Sequence, residues 1–216
     1  MTDIHSHDPQ ILPGQNKVLS IQLHPDTDFE AVLNALPSTI LISAGIHPWH
    51  ASEWSPANMP ILEDMLQHSR VVFLGEIGLD NACGVTYENQ LFVLESQLKL
   101  AGRAGKTVLI HNVGHQSELL AMKMRFKDIP AWILHGFRGK AQMAEQYVSN
   151  GFYLSFGPKY QVEALRACPI ERLFVETDDS DADIRTLYQK VADDLGITVE
   201  VLELSICRNA ESLGIK

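Results

Sequence analysis

Asp3, His5 and His7 alternate along the opening stretch DIHSH. Alternate residues of a strand share a face, so one acid and two imidazoles point the same way. A core face calls for Val, Ile or Leu, and a solvent face has no need of His-x-His. Two imidazoles one strand repeat apart suit a shared cation. Other apolar runs also end in chemistry: His47 after ISAGI, Glu76 after VVFLG, His111 after TVLI, His135 after AWIL and Asp178 after FVET. Together they bring nitrogen and oxygen donors without thiolate. Burying so many ionisable groups is costly unless cations neutralise the acids and take the imidazole lone pairs. The set exceeds one tetrahedral site with an open position and suits two divalent metals, with Zn, Mg and Mn all compatible.

Those residues need a frame that brings distant runs to one face. Eight short apolar runs recur: TDIHSH, KVLSIQLHP, ILISAGIHP, VVFLGEIGLD, TVLIHNVG, AWILHGFRG, FYLSFGP and RLFVETDD. Most are nearly continuous in apolar residues, as parallel strands covered on both faces are. Helical spacing lies between them. Leu91, Leu94, Leu98 and Ala101 form one stripe that ends at a Gly cap, a short helix fits Phe29 to Leu36, and Val191 to Leu213 holds one or two closing helices. The alternation predicts an α/β chain folded as a compact (β/α)8 TIM barrel, with an open doubly wound sheet as the alternative. In a barrel all those strand ends lie on the face that carries active sites. Residues 1–216 are expected to form a single domain.

Composition limits the function classes. The chain has 216 residues, 45% of them apolar, and a net charge of −10, which speaks against nucleic-acid binding by electrostatics alone. The charge is uneven: residues 99–140 hold eight Lys or Arg against Glu118 and Asp128. The readings are solvated helix faces or a basic flank beside an anionic substrate. Three scattered cysteines, no signal peptide and no apolar run near the roughly 18 residues of a membrane span lead to a cytoplasmic protein with no membrane partner. DDSDAD lacks the Gly and Glu of a calcium loop, and Asp179, Asp181 and Asp183 read as solvated loop acids. No P-loop or G-x-S-x-G is present.

The ordered pieces DIHSH, AGIHP, GEIGLD, VLIH, ILHGFRG, GFYLSFGP and FVETD, with ENQ followed by Phe92, resemble the TatD family of metal-dependent deoxyribonucleases, within the amidohydrolase-like barrels. The resemblance implies that His5, His7, Asp178 and Glu76 hold one metal. Glu76 bridges to a second held by His111 and His135. His47 contacts the substrate phosphate, and Asp178 is the base for the attacking water. Asp3 is implied to be structural or to support the ligands. The implied activity is cleavage of DNA or another phosphoester by a metal-activated water, with Asp178 and Glu76 catalytic. The sequence departs from the family pattern outside the ligand positions: Val113 replaces an Arg, NACG follows GLD, DSDADI follows ETD, and Trp49 follows HP with His50 next. The alternatives are therefore a hydrolase of a small phosphoester, lactone or amide, and a metal-binding barrel without turnover. Oligomeric state is not legible.

Overall fold

A computed structural model of the chain describes residues 1–24, 26–55 and 59–215. Pro25, the last residue of the second apolar run, lies outside them. All eight runs form strands: β1 (Thr2–Ser6), β2 (Asn16–Gln22), β3 (Leu41–Gly45), β4 (Val71–Asp80), β5 (Thr107–Val113), β6 (Trp132–Leu134), β7 (Phe152–Phe156) and β8 (Leu173–Val175). They make one eight-stranded sheet in sequential order, which is the (β/α)8 barrel order rather than that of a doubly wound sheet. The helices are α1 (Phe29–Ala35), α2 (Met59–Met65), α3 (Tyr87–Ala104), α4 (Gln116–Arg125), α5 (Ala141–Ser149), α6 (Val162–Ala167), α7 (Ile184–Leu195) and α8 (Val199–Ser212), and a 3-10 helix spans Pro48–Glu53.

The chain divides into two compact units, residues 1–19 with 133–216, and residues 20–132. In the first, β7 and β8 pair in parallel, and Ser6 just inside β1 bridges Asp178 just past β8. The Asp178 amide donates to the His5 carbonyl, and the His7 amide donates to the Asp178 carbonyl. Asp178 takes a left-handed backbone (φ 55) to make both bonds, a conformation Asp tolerates better than most residues. Helices α7 and α8 close this unit. The buried Tyr188 hydroxyl bonds the backbone of Thr2 from both sides, and Asn209 donates to the Ile170 and Leu173 carbonyls. The first closing helix starts earlier than its apolar pattern, because the Asp183 carboxylate accepts from the Arg185 amide and caps it.

In the second unit, β3, β4 and β5 pair in parallel. Glu76 does not end its strand as the sequence suggested. β4 continues to Asp80, because β5 supplies partners as far as Val113, opposite Asp80. The close pairing depends on Gly78, where an added Cβ would sit 1.7 Å from the His111 carbonyl oxygen. Helix α3 covers this region with Val93, Leu94, Leu98, Leu100 and Ala101 buried, and ends at Gly105 in the left-handed conformation (φ 62). It also buries Gln90 and Gln97. Gln97 bonds the Ile46 amide and carbonyl, and Gln90 does the same for Asp80.

Substituting Gly78 by Ala should cost more than about 3 kcal/mol in denaturant unfolding, because the clash is with backbone that cannot move aside. Gly84→Ala, where nothing lies within 4 Å of the added Cβ, serves as the neutral control.

Candidate metal-binding site

In the first unit the donors come from β1, β6 and β8. His5 is buried in β1, and His7 lies just past its end. His135 follows β6, and Glu176 and Asp178 follow β8. The Asp178 Oδ1 atom is 3.3 Å from His5 Nε2 and 3.7 Å from His7 Nε2. The His5 and His135 rings are 4.4 Å apart, edge to face. Glu176 Oε1 accepts from the Gly136 amide at 2.6 Å and faces His135 Nδ1 at 3.3 Å. The other oxygen, Glu176 Oε2, is buried without a hydrogen-bond partner among the described residues. Donor atoms of His5, His7 and Asp178, and of His135, Glu176 and Asp178, lie within 4.8 Å of one another.

Asp3 shares a strand face with the histidines but serves another end. It accepts from the Thr177 amide and hydroxyl and from Gln15. Burial pushes its carboxyl up to about 6 against the lowering effect of the Thr177 bonds. Its task is to fix the chain just before Asp178.

In the second unit Glu76 is buried in β4, and its Oε1 lies 3.2 Å from His47 Nε2 and 2.9 Å from His111 Nδ1. The opposite nitrogen of His111, Nε2, is 3.0 Å from Asp80 Oδ2, which also accepts from Trp49 Nε1 at 2.7 Å. Burial would raise the Asp80 carboxyl, but the bonds from Trp49, the Ala82 amide and His111 prevail and hold it below its usual value. His47 caps the 3-10 helix, its Nδ1 accepting from the Trp49 amide. His47, Glu76 and His111 form a third group of donors within 4.8 Å.

The structure thus brings His5, His7, His135 and Asp178 together in one unit, and His47, Glu76 and His111 in the other. Sequence reasoning missed Glu176 and Asp80. A signal was available: Asp80 is four residues after Glu76 on the same strand, and Glu176 is two residues before Asp178 in the run FVETD. His115 sits at the start of α4 behind a left-handed Gly114 (φ 84). Asp179, Asp181 and Asp183 are exposed loop acids as expected. Of the basic stretch, Arg103 pairs with Glu63, Arg125 with Glu95, and Lys106 donates to the Val71 carbonyl, so these three serve helix faces and a strand end.

A buried carboxylate with one orphaned oxygen, beside the His135 imidazole and the Asp178 carboxylate, is a donor set that fits a divalent cation. The residues able to hold one are His5, His7, His135, Glu176 and Asp178 in the first unit, and Glu76 and His111 in the second.

A family model described as TatD related DNase matches residues 13–213, so His5 and His7 lie ahead of the matched stretch. The metal-dependent hydrolase YjjV of Escherichia coli K12 is 32% identical over 148 residues, 63% of this chain and 57% of that protein. The 3'-5' ssDNA/RNA exonuclease TatD of Edwardsiella piscicida is 31% identical over 179 residues, 78% of this chain and 66% of that protein. The chain thus spans less than two thirds of the length of these curated relatives. The crystal structure of the Escherichia coli YjjV matches with a TM-score of 0.86 at 20% identity, over 98% of this chain and 96% of that one. A TatD family hydrolase from Entamoeba histolytica matches with a TM-score of 0.80 at 14% identity, over 98% and 97%. Both likenesses are likenesses of fold.

Replacing Glu176 by Gln keeps the shape and the bond from Gly136 and removes the buried charge. Retention of added divalent metal, measured by elemental analysis after gel filtration, should fall about 10- to 100-fold in affinity while the far-ultraviolet circular dichroism stays unchanged.

Proposed function

The chain belongs to the TatD-related DNase family, and on that premise we propose that it is a metal-dependent hydrolase of phosphodiesters, acting on single-stranded DNA. The observation that carries this reading is the buried Glu176 carboxylate, one oxygen orphaned, beside His135 and Asp178. The ligands are His5, His7, His135, Glu176 and Asp178 in one unit and Glu76 and His111 in the other, for two divalent ions of the Zn, Mg or Mn class. Such a cation supplies Lewis acidity to a phosphoryl oxygen and acidity to bound water.

The protein's own groups do the rest. Asp178, fixed through its backbone to His5 and His7, accepts the proton of the incoming water at its carboxylate. Glu76 holds His47 and His111 in place through one oxygen, and His47 orients the substrate phosphate. Trp49 and His111 keep Asp80 ionised, which adds negative charge behind His111. No helix among the described residues is long and apolar enough to cross a membrane. Three cysteines without disulfides support a cytoplasmic setting.

One observation favours a second reading, a small phosphoester, lactone or amide in place of DNA. A cleft of about 540 Å³ beside His7 and Asp178 is lined by Asp8, Asp179, Asp181 and Asp183, with Lys17 its one basic residue. At the family's arginine position stands Val113, partly exposed. Both features disfavour a polyanion.

Supplied with divalent metal, the protein should cleave a single-stranded oligonucleotide and bis(p-nitrophenyl) phosphate. His135→Ala and Asp178→Asn should each slow both reactions by at least about 100-fold. Cleavage of small esters with none of the oligonucleotide would select the second reading. Hydrolysis that persists unchanged in Asp178→Asn and in Glu76→Ala would overturn both.

A further inference from the structure

A further group of donors lies on the surface of the second unit, outside the residues given roles above. His24 follows β2, and His50 and Glu53 stand three apart on the 3-10 helix Pro48–Glu53. The Glu53 carboxylate is shared: Oε2 faces His24 Nδ1 at 3.3 Å, and Oε1 faces His50 Nδ1 at 2.9 Å. The two imidazoles lie edge to face, 5.1 Å between centroids. One donor atom from each residue lies within 4.8 Å of the other two. All three side chains are between one third and one half exposed, so a fourth position is open to water.

We infer that His24, His50 and Glu53 form a separate divalent-cation site of the zinc class, which fastens the loop after β2 to the 3-10 helix after β3.

The chemistry is that of a site with two imidazoles, one carboxylate and an open position. Imidazole-rich donors select Zn, Co, Ni or Cu over Mg and Ca, which favour oxygen. As a bare ion pair the trio contributes little, because exposed charges are screened and three side chains must be ordered. A cation draws on the same three groups and converts a weak contact into a crosslink. The ligands are already in place. The His24 amide donates to the Thr27 hydroxyl and the Thr27 amide to the His24 carbonyl, which ties His24 to Thr27. The Trp54 indole donates to the Leu23 carbonyl, and the His47 amide donates to Gln22, so the two segments are tied on the protein side. His50 and Glu53 share their helix with its capping residue, His47. Occupancy would therefore steady a residue that faces Glu76.

This inference does not rest on the hydrolase reading, and the test separates the two. Metal-stripped protein is titrated with zinc by calorimetry, and its thermal midpoint is followed against zinc concentration. The same is done for the double variant His24→Asn with His50→Gln, whose positions are exposed and outside the core. The wild type should bind one more equivalent of zinc than the variant and gain more in thermal midpoint. Histidine modification by diethyl pyrocarbonate, mapped by mass spectrometry, should be slowed by zinc at least about tenfold at His24 and His50. Equal stoichiometry in the two proteins overturns the proposal. So does modification of both histidines at one rate with and without zinc, which would leave the trio as an ion pair only. Loss of metal at His5 or His135 moves neither readout at His24 and His50.

Discussion

A carboxylate taken out of water must be given partners, and the arrangement of this protein follows from where its buried acids find them. Glu76 and Glu176 both lie inside, and each solves the problem with imidazoles carried by other strands. Glu76 is met by His47 and His111 at a single oxygen. Asp178, only partly covered, is met by His5 and His7 in the same manner. Glu176 is met at one oxygen by Gly136 and His135, and its second oxygen has no hydrogen-bond partner among the described residues. The pattern of one acid between two imidazoles occurs in both units. Neither half is stable as charge alone, which is the physical reason that strand ends here carry nitrogen donors rather than aliphatic residues.

Holding those groups falls to residues that never touch them. Gln90 and Gln97 sit two turns apart on one face of α3 and use their amides as substitute backbone. They satisfy the peptide groups of Asp80 and of Ile46, the residue before His47, at points where the sheet supplies no partner. Asp3 does comparable work through Thr177, and Tyr188 secures Thr2. Buried polar groups of this kind are costly if half satisfied, and each of these has its bonds. The donors are therefore positioned in part by residues that never touch them, the amides of Gln90 and Gln97, the Tyr188 hydroxyl and the Asp3 carboxylate.

Much of this was legible in sequence because barrel strands advertise themselves. Eight apolar runs gave eight strands, and histidines at their ends stood out against the Val, Ile and Leu around them. The ends of the runs were less readable. β4 looked finished at Glu76, since Gly75 and Gly78 interrupt the pattern, yet the strand continues because β5 continues beside it. Register is a property of two strands, and one strand's composition does not contain it. Glu176 was hidden by its neighbour: two acids at period two look like one polar strand end, and only packing shows that the earlier one is buried against His135. The 3-10 helix after β3 escaped for a different reason. Six residues with Pro, Trp and His have no helical stripe, and a histidine ring rather than a Ser or Asp provides the cap.

The electrostatics of the cleft beside Asp178 bear on what this chain can accept. Lys17 lines it, but its ammonium already donates to the Asp8 and Gln10 carbonyls and lies 4.0 Å from the Asp8 carboxylate. That cation is spent inside the protein. The acids at 179, 181 and 183 face solvent, and Asp183 is tied to the start of α7. An incoming chain of phosphates thus meets net negative charge on this side. On the proposed reading, favourable charge would come from cations at the imidazole and carboxylate donors, acting at short range. Long-range steering along a basic groove would let an enzyme grip many phosphates at once, and a net charge of −10 disfavours that mode. On the proposed hydrolase reading, these charges would favour a substrate that brings one ester group to Asp178 and keeps the rest of its charge away from the acidic loop.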